Sequence, residues 1–97
     1  MKYYFLVIYQ RAGELQRKNI SNFFNSSRKI ITNGFVGELE IDRPITCAEV
    51  RTELLKNDDS NLIVIRLDAD FSSAWRLSNE ANEYLTSIFN YIHNDTK

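Results

Sequence analysis

The sequence predicts an α+β fold in a single domain that spans residues 1–97. Ninety-seven residues can build one hydrophobic core but are too few for two domains. Two observations predict the class: strand-like apolar runs alternate with amphipathic helical segments, and an Asn-Gly pair separates two of the strand-like runs. The predicted order of elements is strand, helix, strand, strand, helix, strand and helix.

The first strand is predicted over Lys2–Gln10, which is rich in aromatic and β-branched residues. Both of its faces are apolar, as is typical of a central strand that is covered on both sides. A helix follows, because Ile20, Phe23 and Phe24 have the spacing of one helical stripe. Leu15 does not join that stripe, so the start of the helix stays open.

A hairpin is predicted at Asn33-Gly34, since both residue types tolerate a positive φ. Its second arm alternates with a period of two, which predicts a half-buried strand with an acidic outer face. The inward residues of that arm are predicted to be Phe35, Leu39 and Ile41. The outward residues are predicted to be Val36, Glu38, Glu40 and Asp42.

Capping signals place two further helices. Thr46 and Glu49 form a capping box at the start of a helix predicted over Cys47–Lys56. The apolar run Asn61–Leu67 predicts the fourth strand, and Ser78 caps a last helix. The buried stripe of that helix is predicted to be Ala81, Leu85, Ile88, Phe89 and Ile92.

A strand-helix-strand unit taken twice is the split βαβ, or ferredoxin-like, arrangement: here βαββαβ with an extra C-terminal helix. The strand order 4-1-3-2 of that fold places the first and third strands at the centre. Both main helices then pack on one face of the sheet, and aromatic side chains of the first strand are expected on the other face. That face is covered by the last helix, by a second subunit, or by RNA bases stacked on Tyr3, Phe5 or Tyr9.

The charges are distributed unevenly along the chain, although the net charge of −1 excludes a strongly basic nucleic-acid binder. Residues 1–34 carry six basic and one acidic residue, and the remainder carries six basic and twelve acidic residues. This pattern predicts two charged surfaces. The basic edge consists of Arg11, Arg17, Lys18, Arg28 and Lys29. The acidic face consists of Glu38, Glu40 and Asp42, which would repel the phosphates of a bound RNA.

Few residues suggest a catalytic or metal-binding site. Asp68 and Asp70 could bind Mg²⁺ or Mn²⁺, because hard cations prefer carboxylate oxygens, but aspartates at strand ends are also common in turns. His93 has no identifiable partner for acid–base catalysis, and Cys47 is interpreted as a small core residue. Trp75 is interpreted as an anchor for the crossover into the last helix, with a contact to a partner as the alternative.

Composition also bears on location. No apolar stretch reaches the roughly 18 residues that span a membrane, so no membrane association is expected. A single cysteine cannot form an internal disulfide, and a cytoplasmic location is predicted.

The C-terminal half, Thr46–Phe89, carries a recognisable pattern. A Thr-capped helix is followed by an acidic turn, an apolar last strand, and a polar loop that contains tryptophan and leads into a helix. The matching residues are Asp58-Asp59, Leu62–Leu67, Asp70-Phe71, Trp75 and Ala81–Leu85, with Phe71 where a tryptophan is usual. In this pattern the chain resembles the SinR-like proteins, small bacterial relatives of the CRISPR-associated adaptation nucleases.

The resemblance implies a ferredoxin-like fold, a homodimer packed through sheets or C-terminal segments, and metal-dependent cleavage of RNA or DNA. In the nuclease relatives an aspartate closes the first strand and holds the metal. The corresponding position here is Gln10, whose neutral amide is a poor ligand for Mg²⁺. No catalytic residue is therefore carried over from the family.

The leading functional hypothesis is a non-catalytic binding protein, a homodimer that acts through protein–protein contact, such as an inhibitor encoded by a phage or mobile element. The basic edge, the acidic face and Trp75 are its predicted contact surfaces. One alternative is a metal-dependent endoribonuclease that uses Asp68 and Asp70 with Mg²⁺ or Mn²⁺. The other is an RNA-binding module that stacks bases on Tyr3, Phe5 or Tyr9. No resident cofactor is assigned.

Overall fold

The computed structural model describes residues 1–10, 14–58, 60–68 and 76–95, which form a small α+β domain with a four-stranded antiparallel sheet and three helices. Within these residues, no helix is long and apolar enough to cross a membrane. The elements in chain order are β1 (Lys2–Tyr9), α1 (Glu14–Phe23), β2 (Ser26–Ile31), β3 (Gly34–Glu40), α2 (Cys47–Leu54), β4 (Leu62–Leu67) and α3 (Asn79–Asp95).

The strands are arranged in the order β2-β3-β1-β4, so the central position predicted for β1 is confirmed. β1 pairs with β3 on one side, where Phe5 lies opposite Gly37. It pairs with β4 on the other side, where Leu6 lies opposite Ile65. Because β1 has a partner along both edges, β2 and β4 form the two edges of the sheet.

One face of the sheet packs against α1 and α2. The odd-numbered residues of β1 point to this face, and Phe5 and Val7 are completely buried there. α2 contributes Val50 and Leu54, which are completely buried in the same core. The buried residues of this first core are Phe5, Val7, Phe24, Phe35, Leu39, Ile45, Val50 and Leu54.

The opposite face of the sheet is covered by α3, which builds a second core. Of the three coverings considered from the sequence, the last helix is therefore the one that the structure shows. Its predicted stripe is confirmed, with Phe89 half-buried and the other four residues buried. The buried residues of the second core that come from the sheet and α3 are Tyr4, Val36, Leu67, Leu85, Ile88 and Ile92.

The expected position of the β1 aromatic residues is wrong for three of the four and confirmed for Tyr4. Tyr3, Phe5 and Tyr9 point to α1 and α2, whereas Tyr4 and Leu6 point to α3. Successive side chains of a strand alternate between faces, and both sets in β1 are apolar, so the sequence pattern could not tell which set meets which helices. Phe5 is completely buried and cannot stack on an RNA base.

The hairpin forms, but its turn differs from the predicted one. Ile31 pairs with Gly34, so the two turn residues are Thr32 and Asn33, and Gly34 begins β3. Neither Asn33 nor Gly34 has a positive φ. A bulge between Lys29 and Ile31 shifts the register of β2 by one residue just before this turn.

The interpretation of β3 as a half-buried strand is also corrected. Val36 is completely buried, because it lies beneath α3 opposite Arg28 and Leu6. Phe35 is buried on the other face, against the first core. β3 is thus covered on both faces over most of its length, and the polar outer face is confined to its C-terminal end at Glu38 and Glu40.

Both predicted caps form at the helix starts. The Oγ1 atom of Thr46 accepts a hydrogen bond from the Glu49 amide at 3.1 Å. The Oγ atom of Ser78 accepts one from the Ala81 amide at 3.3 Å. Each cap satisfies an amide that has no carbonyl partner within its own helix.

Replacing Thr46 by alanine is expected to lower the free energy of unfolding by about 1 kcal/mol, because the Glu49 amide loses its acceptor. Urea denaturation of the purified variant would measure the change. Thr52→Ala is the matched control, since the Thr52 hydroxyl donates to the Ala48 carbonyl inside α2 and caps nothing. Equal losses in the two variants would contradict the capping role.

Candidate functional site

The residues proposed for metal binding are only partly described. Asp68 is half-buried directly after β4, and Asp70 lies outside the described residues. The Gln10 side chain, whose amide was expected to be a poor metal ligand, accepts a hydrogen bond from the Asn61 side chain at 2.8 Å. Across the part of the chain that the structure describes, no group of three or more His, Cys, Asp or Glu residues could hold a metal ion.

The predicted basic edge is divided between two faces of the molecule. Arg17 and Lys18 are exposed on α1. Lys29 of β2 lies opposite Phe35 and faces the α1 side of the sheet, whereas Arg28 lies opposite Val36 and faces α3. Arg11 lies outside the described residues. The four described cations therefore do not form a single surface.

The predicted acidic face is not an open acidic surface. The Glu38 carboxylate lies 3.2 Å from the Lys2 ammonium group and accepts a hydrogen bond from the Ser26 hydroxyl at 3.1 Å. Its side chain is only 25% exposed. Glu40 and Asp42 are exposed near the end of β3. Glu38 thus interacts with other residues of the fold, whereas Glu40 and Asp42 remain at the surface.

Tyrosines of α3 and β1 surround the ion pair between Lys2 and Glu38. The Lys2 ammonium group lies 5.1 Å from the centre of the Tyr91 ring, and the Arg28 guanidinium lies 5.0 Å from that of Tyr84. Tyr4 meets Tyr91 edge to face at 5.9 Å between ring centres. Such cation–π and aromatic contacts stabilise the packing of α3 on the sheet.

The electrostatics of this cluster follow from burial and from the Glu38 charge. Burial raises the pKa of Tyr4 and of Tyr84, and the nearby Glu38 carboxylate raises both further. The hydrogen bond with Glu38 raises the pKa of Lys2. Both phenols therefore stay neutral and Lys2 stays charged near neutral pH. We infer that this cluster of charged and tyrosine side chains stabilises the packing of α3 on the sheet.

A shallow groove lies beside α2 on the other side of the molecule. It encloses about 300 Å³, with Phe23 and Ile45 among its lining residues. Arg43 and Glu49 at its rim form an ion pair with an N–O distance of 2.8 Å. The hydrogen bond from Arg43 lowers the pKa of Glu49, so the stabilising effect of the carboxylate is present at neutral pH and is lost as the pH falls through that lowered pKa.

The outer edge of β4 is the most unusual surface of the domain. Its sequence, Leu-Ile-Val-Ile-Arg-Leu, carries a single charge, at Arg66. Ile63 is 57% exposed, the largest exposure of any apolar residue inside the described strands. Ile8 and Ile65 lie beside it on the α3 side of the sheet, half-buried and outside both cores. Among the residues that the structure describes, no strand pairs with this edge.

The other edge of the sheet is protected in the usual way. β2 carries Arg28 and Lys29 and contains a bulge, and both features discourage the addition of another strand. The contrast with β4 was not predicted. The sequence did contain an indication of it: the predicted order placed the fourth strand at an edge, although the apolar composition of that strand is typical of a central strand.

The last predicted contact residue, Trp75, lies outside the described residues. The described surfaces therefore include an internally satisfied cluster, a shallow groove and an apolar strand edge. Comparisons of the chain with protein-family models, with curated proteins and with solved structures find no match.

Proposed function

We propose that this chain is a non-catalytic binding protein that works through protein–protein contact in the cytoplasm, and that its domain is of the ferredoxin-like class with an added C-terminal helix. The strand order supports the fold assignment, since from β4 it runs β4-β1-β3-β2. The single free cysteine, Cys47, supports a reducing compartment. An inhibitor encoded by a phage or mobile element would act in this way.

The observation that carries the proposal is the edge of β4. An edge strand presents a row of backbone N–H and C=O groups that another chain can use, and most proteins block such rows with charges, prolines or bulges. Here four successive apolar residues, Leu62–Ile65, stand at the edge, and Ile63 is an exposed residue. Addition of a strand to such an edge is a common mode of protein recognition.

The polar surfaces favour a protein partner over a nucleic acid. Lys2 and Arg28 face tyrosine rings on the α3 side, and Lys2 is also paired with Glu38. Phosphate binding needs several cations on one surface, and the described members of the basic edge are split between two faces. Base stacking needs exposed rings, whereas Phe5 is completely buried.

The test is a pull-down with tagged protein from host lysate, treated with nuclease or left untreated, with the wild type compared with Ile63→Lys. We expect a protein partner that survives nuclease treatment and is lost from the Ile63→Lys sample. Recovery of nucleic acid alone would contradict the proposal. So would cleavage of RNA or DNA by the purified chain in Mg²⁺ or Mn²⁺.

A further inference from the structure

We infer that the β4 edge binds an extended partner segment in which a carboxylate side chain is followed by apolar residues, and that this segment adds antiparallel with its carboxylate opposite Arg66. This inference rests on the proposed function and deepens it by naming the chemistry of the partner. It follows from the direction of the backbone groups of β4, from the side chains on the two faces of the strand, and from the charge of Arg66.

The outward backbone groups of β4 follow from its register with β1. The Gln10 amide donates to the Asn61 carbonyl at 3.0 Å, so Asn61 faces β1. Along an antiparallel strand, residues that bond to the neighbouring strand alternate with residues that face away from it. The N–H and C=O groups that face the outer edge are therefore those of Leu62, Val64 and Arg66. A strand that adds to this edge antiparallel places one residue directly opposite each of them.

Apolar side chains line most of the β4 edge on both faces of the sheet. Leu62 and Val64 are half-buried and pack against the first core on the side of α1 and α2. Ile63 and Ile65 lie on the α3 side, where Ile63 is 57% exposed. Apolar residues of a partner segment beside these two isoleucines would remove apolar surface from water, which favours binding.

Arg66 is the one charged residue of this strand. It is exposed, and its guanidinium lies 5.9 Å from the centre of the Tyr3 ring on the side of α1 and α2. Among the residues that the structure describes, no carboxylate forms an ion pair with it. Side chains directly opposite each other on neighbouring strands lie about 5 Å apart, so a carboxylate opposite Arg66 is attracted and a second cation is repelled.

The position of this charge gives the partner segment a direction and a register. All strand pairs of the sheet are antiparallel, and antiparallel pairing is the more stable type per residue. In antiparallel addition the carboxylate comes first in the partner segment, and the residues after it lie opposite Leu62–Ile65 in reverse order. β4 itself contains no acidic residue, so a second copy of the strand does not supply the carboxylate.

Fluorescence anisotropy with three labelled synthetic peptides, blocked at both termini to remove the terminal charges, tests the inference. The first peptide contains Glu-Val-Thr-Val-Thr between glycine and serine residues, because valine and threonine favour extended structure. The second has lysine in place of the glutamate, and the third contains the first sequence reversed. We expect the glutamate peptide to bind at least about fivefold more tightly than the lysine peptide, and more tightly than the reversed peptide. Added salt should reduce the preference for glutamate, since an exposed ion pair is screened.

Variants of Arg66 test whether this residue causes the preference. Because Arg66 is exposed, its variants should fold like the wild type. In Arg66→Glu the order of the glutamate and lysine peptides should reverse, and Arg66→Gln should bind both alike. Lys29→Glu is the matched control, since it makes the same change of charge at an exposed position of the other edge strand. It should keep the wild-type preference, whereas Ile63→Lys should weaken the binding of all three peptides.

Equal binding of the glutamate and lysine peptides by the wild type, or an unchanged preference in Arg66→Glu, would overturn the inference. Tighter binding of the reversed peptide would overturn the antiparallel direction. A wild-type chain that binds none of the peptides and sediments as a dimer would show that a second copy occupies the edge, which also overturns the inference. These outcomes leave the proposed function intact, because the pull-down tests the contact at Ile63 and not the charge of Arg66.

Discussion

Replacing Ile88 by alanine is expected to lower the free energy of unfolding by about 2–5 kcal/mol, the usual cost of emptying a buried isoleucine site. Ile88 is only 4% exposed and lies in the second core with Tyr4, Val36 and Leu85. These residues come from three different elements, so the cavity left by the substitution cannot be filled by the movement of one side chain. Urea denaturation at neutral pH would measure the loss.

The control is Ser87→Ala, one position earlier on the exposed face of α3. Serine and alanine differ little in size, and alanine is the better helix former, so this variant should be as stable as the wild type. If Ile88→Ala were no less stable than Ser87→Ala, α3 would not be packed on the sheet in solution. In that case a second subunit or another partner could cover the face of the sheet on which α3 lies.

Replacing Gly37 by alanine is expected to cost about 1–3 kcal/mol, the range for overpacking a filled core. A Cβ atom at Gly37 would lie 2.7 Å from three carbons of the Phe24 ring. That ring is held in place by Phe5, Phe23 and Phe35, with ring centres at 6.3, 5.1 and 5.8 Å. It cannot move aside without disturbing the first core. Thermal or urea denaturation would measure the loss.

Gly34→Ala is the comparison for this prediction. Its Cβ would lie 2.8 Å from Cγ1 of Ile31, but Ile31 is exposed at the sheet edge and its side chain can rotate away. We expect a much smaller loss, partly offset by the reduced freedom of the unfolded chain. The double variant Gly37→Ala/Phe24→Leu should lose less free energy of unfolding than the sum of the losses in the two single variants. Equal losses for the two glycine variants would contradict the role of the Phe24 ring.

The order and type of the elements could be predicted from the sequence because local signals specify them. Thr46 and Ser78 mark helix starts through hydrogen bonds that span three residues. The stripe of α3 repeats with the helical period, and that stripe is buried as predicted. Each of these signals acts within a few residues, so one sequence contains all the information that it needs.

The assignment of faces could not be predicted, because it depends on contacts between distant segments. β1 is apolar on both faces, so its pattern fits α1 and α2 on either side. The burial of Val36 depends on α3, which lies more than 40 residues further along the chain. The pairing of Lys2 with Glu38 depends on the β1–β3 register in the same way. Neither follows from the alternation of residues within one strand.

The difference between the two edges of the sheet also bears on how the chain resists aggregation. An edge strand can serve as a template for another chain, and a sheet that is unprotected at both edges can add copies without limit and form fibrils. Here Arg28, Lys29 and the bulge of β2 oppose addition at one edge. A strand that joins the sheet is therefore expected at β4 alone, so that addition of one strand there leaves the β2 edge protected.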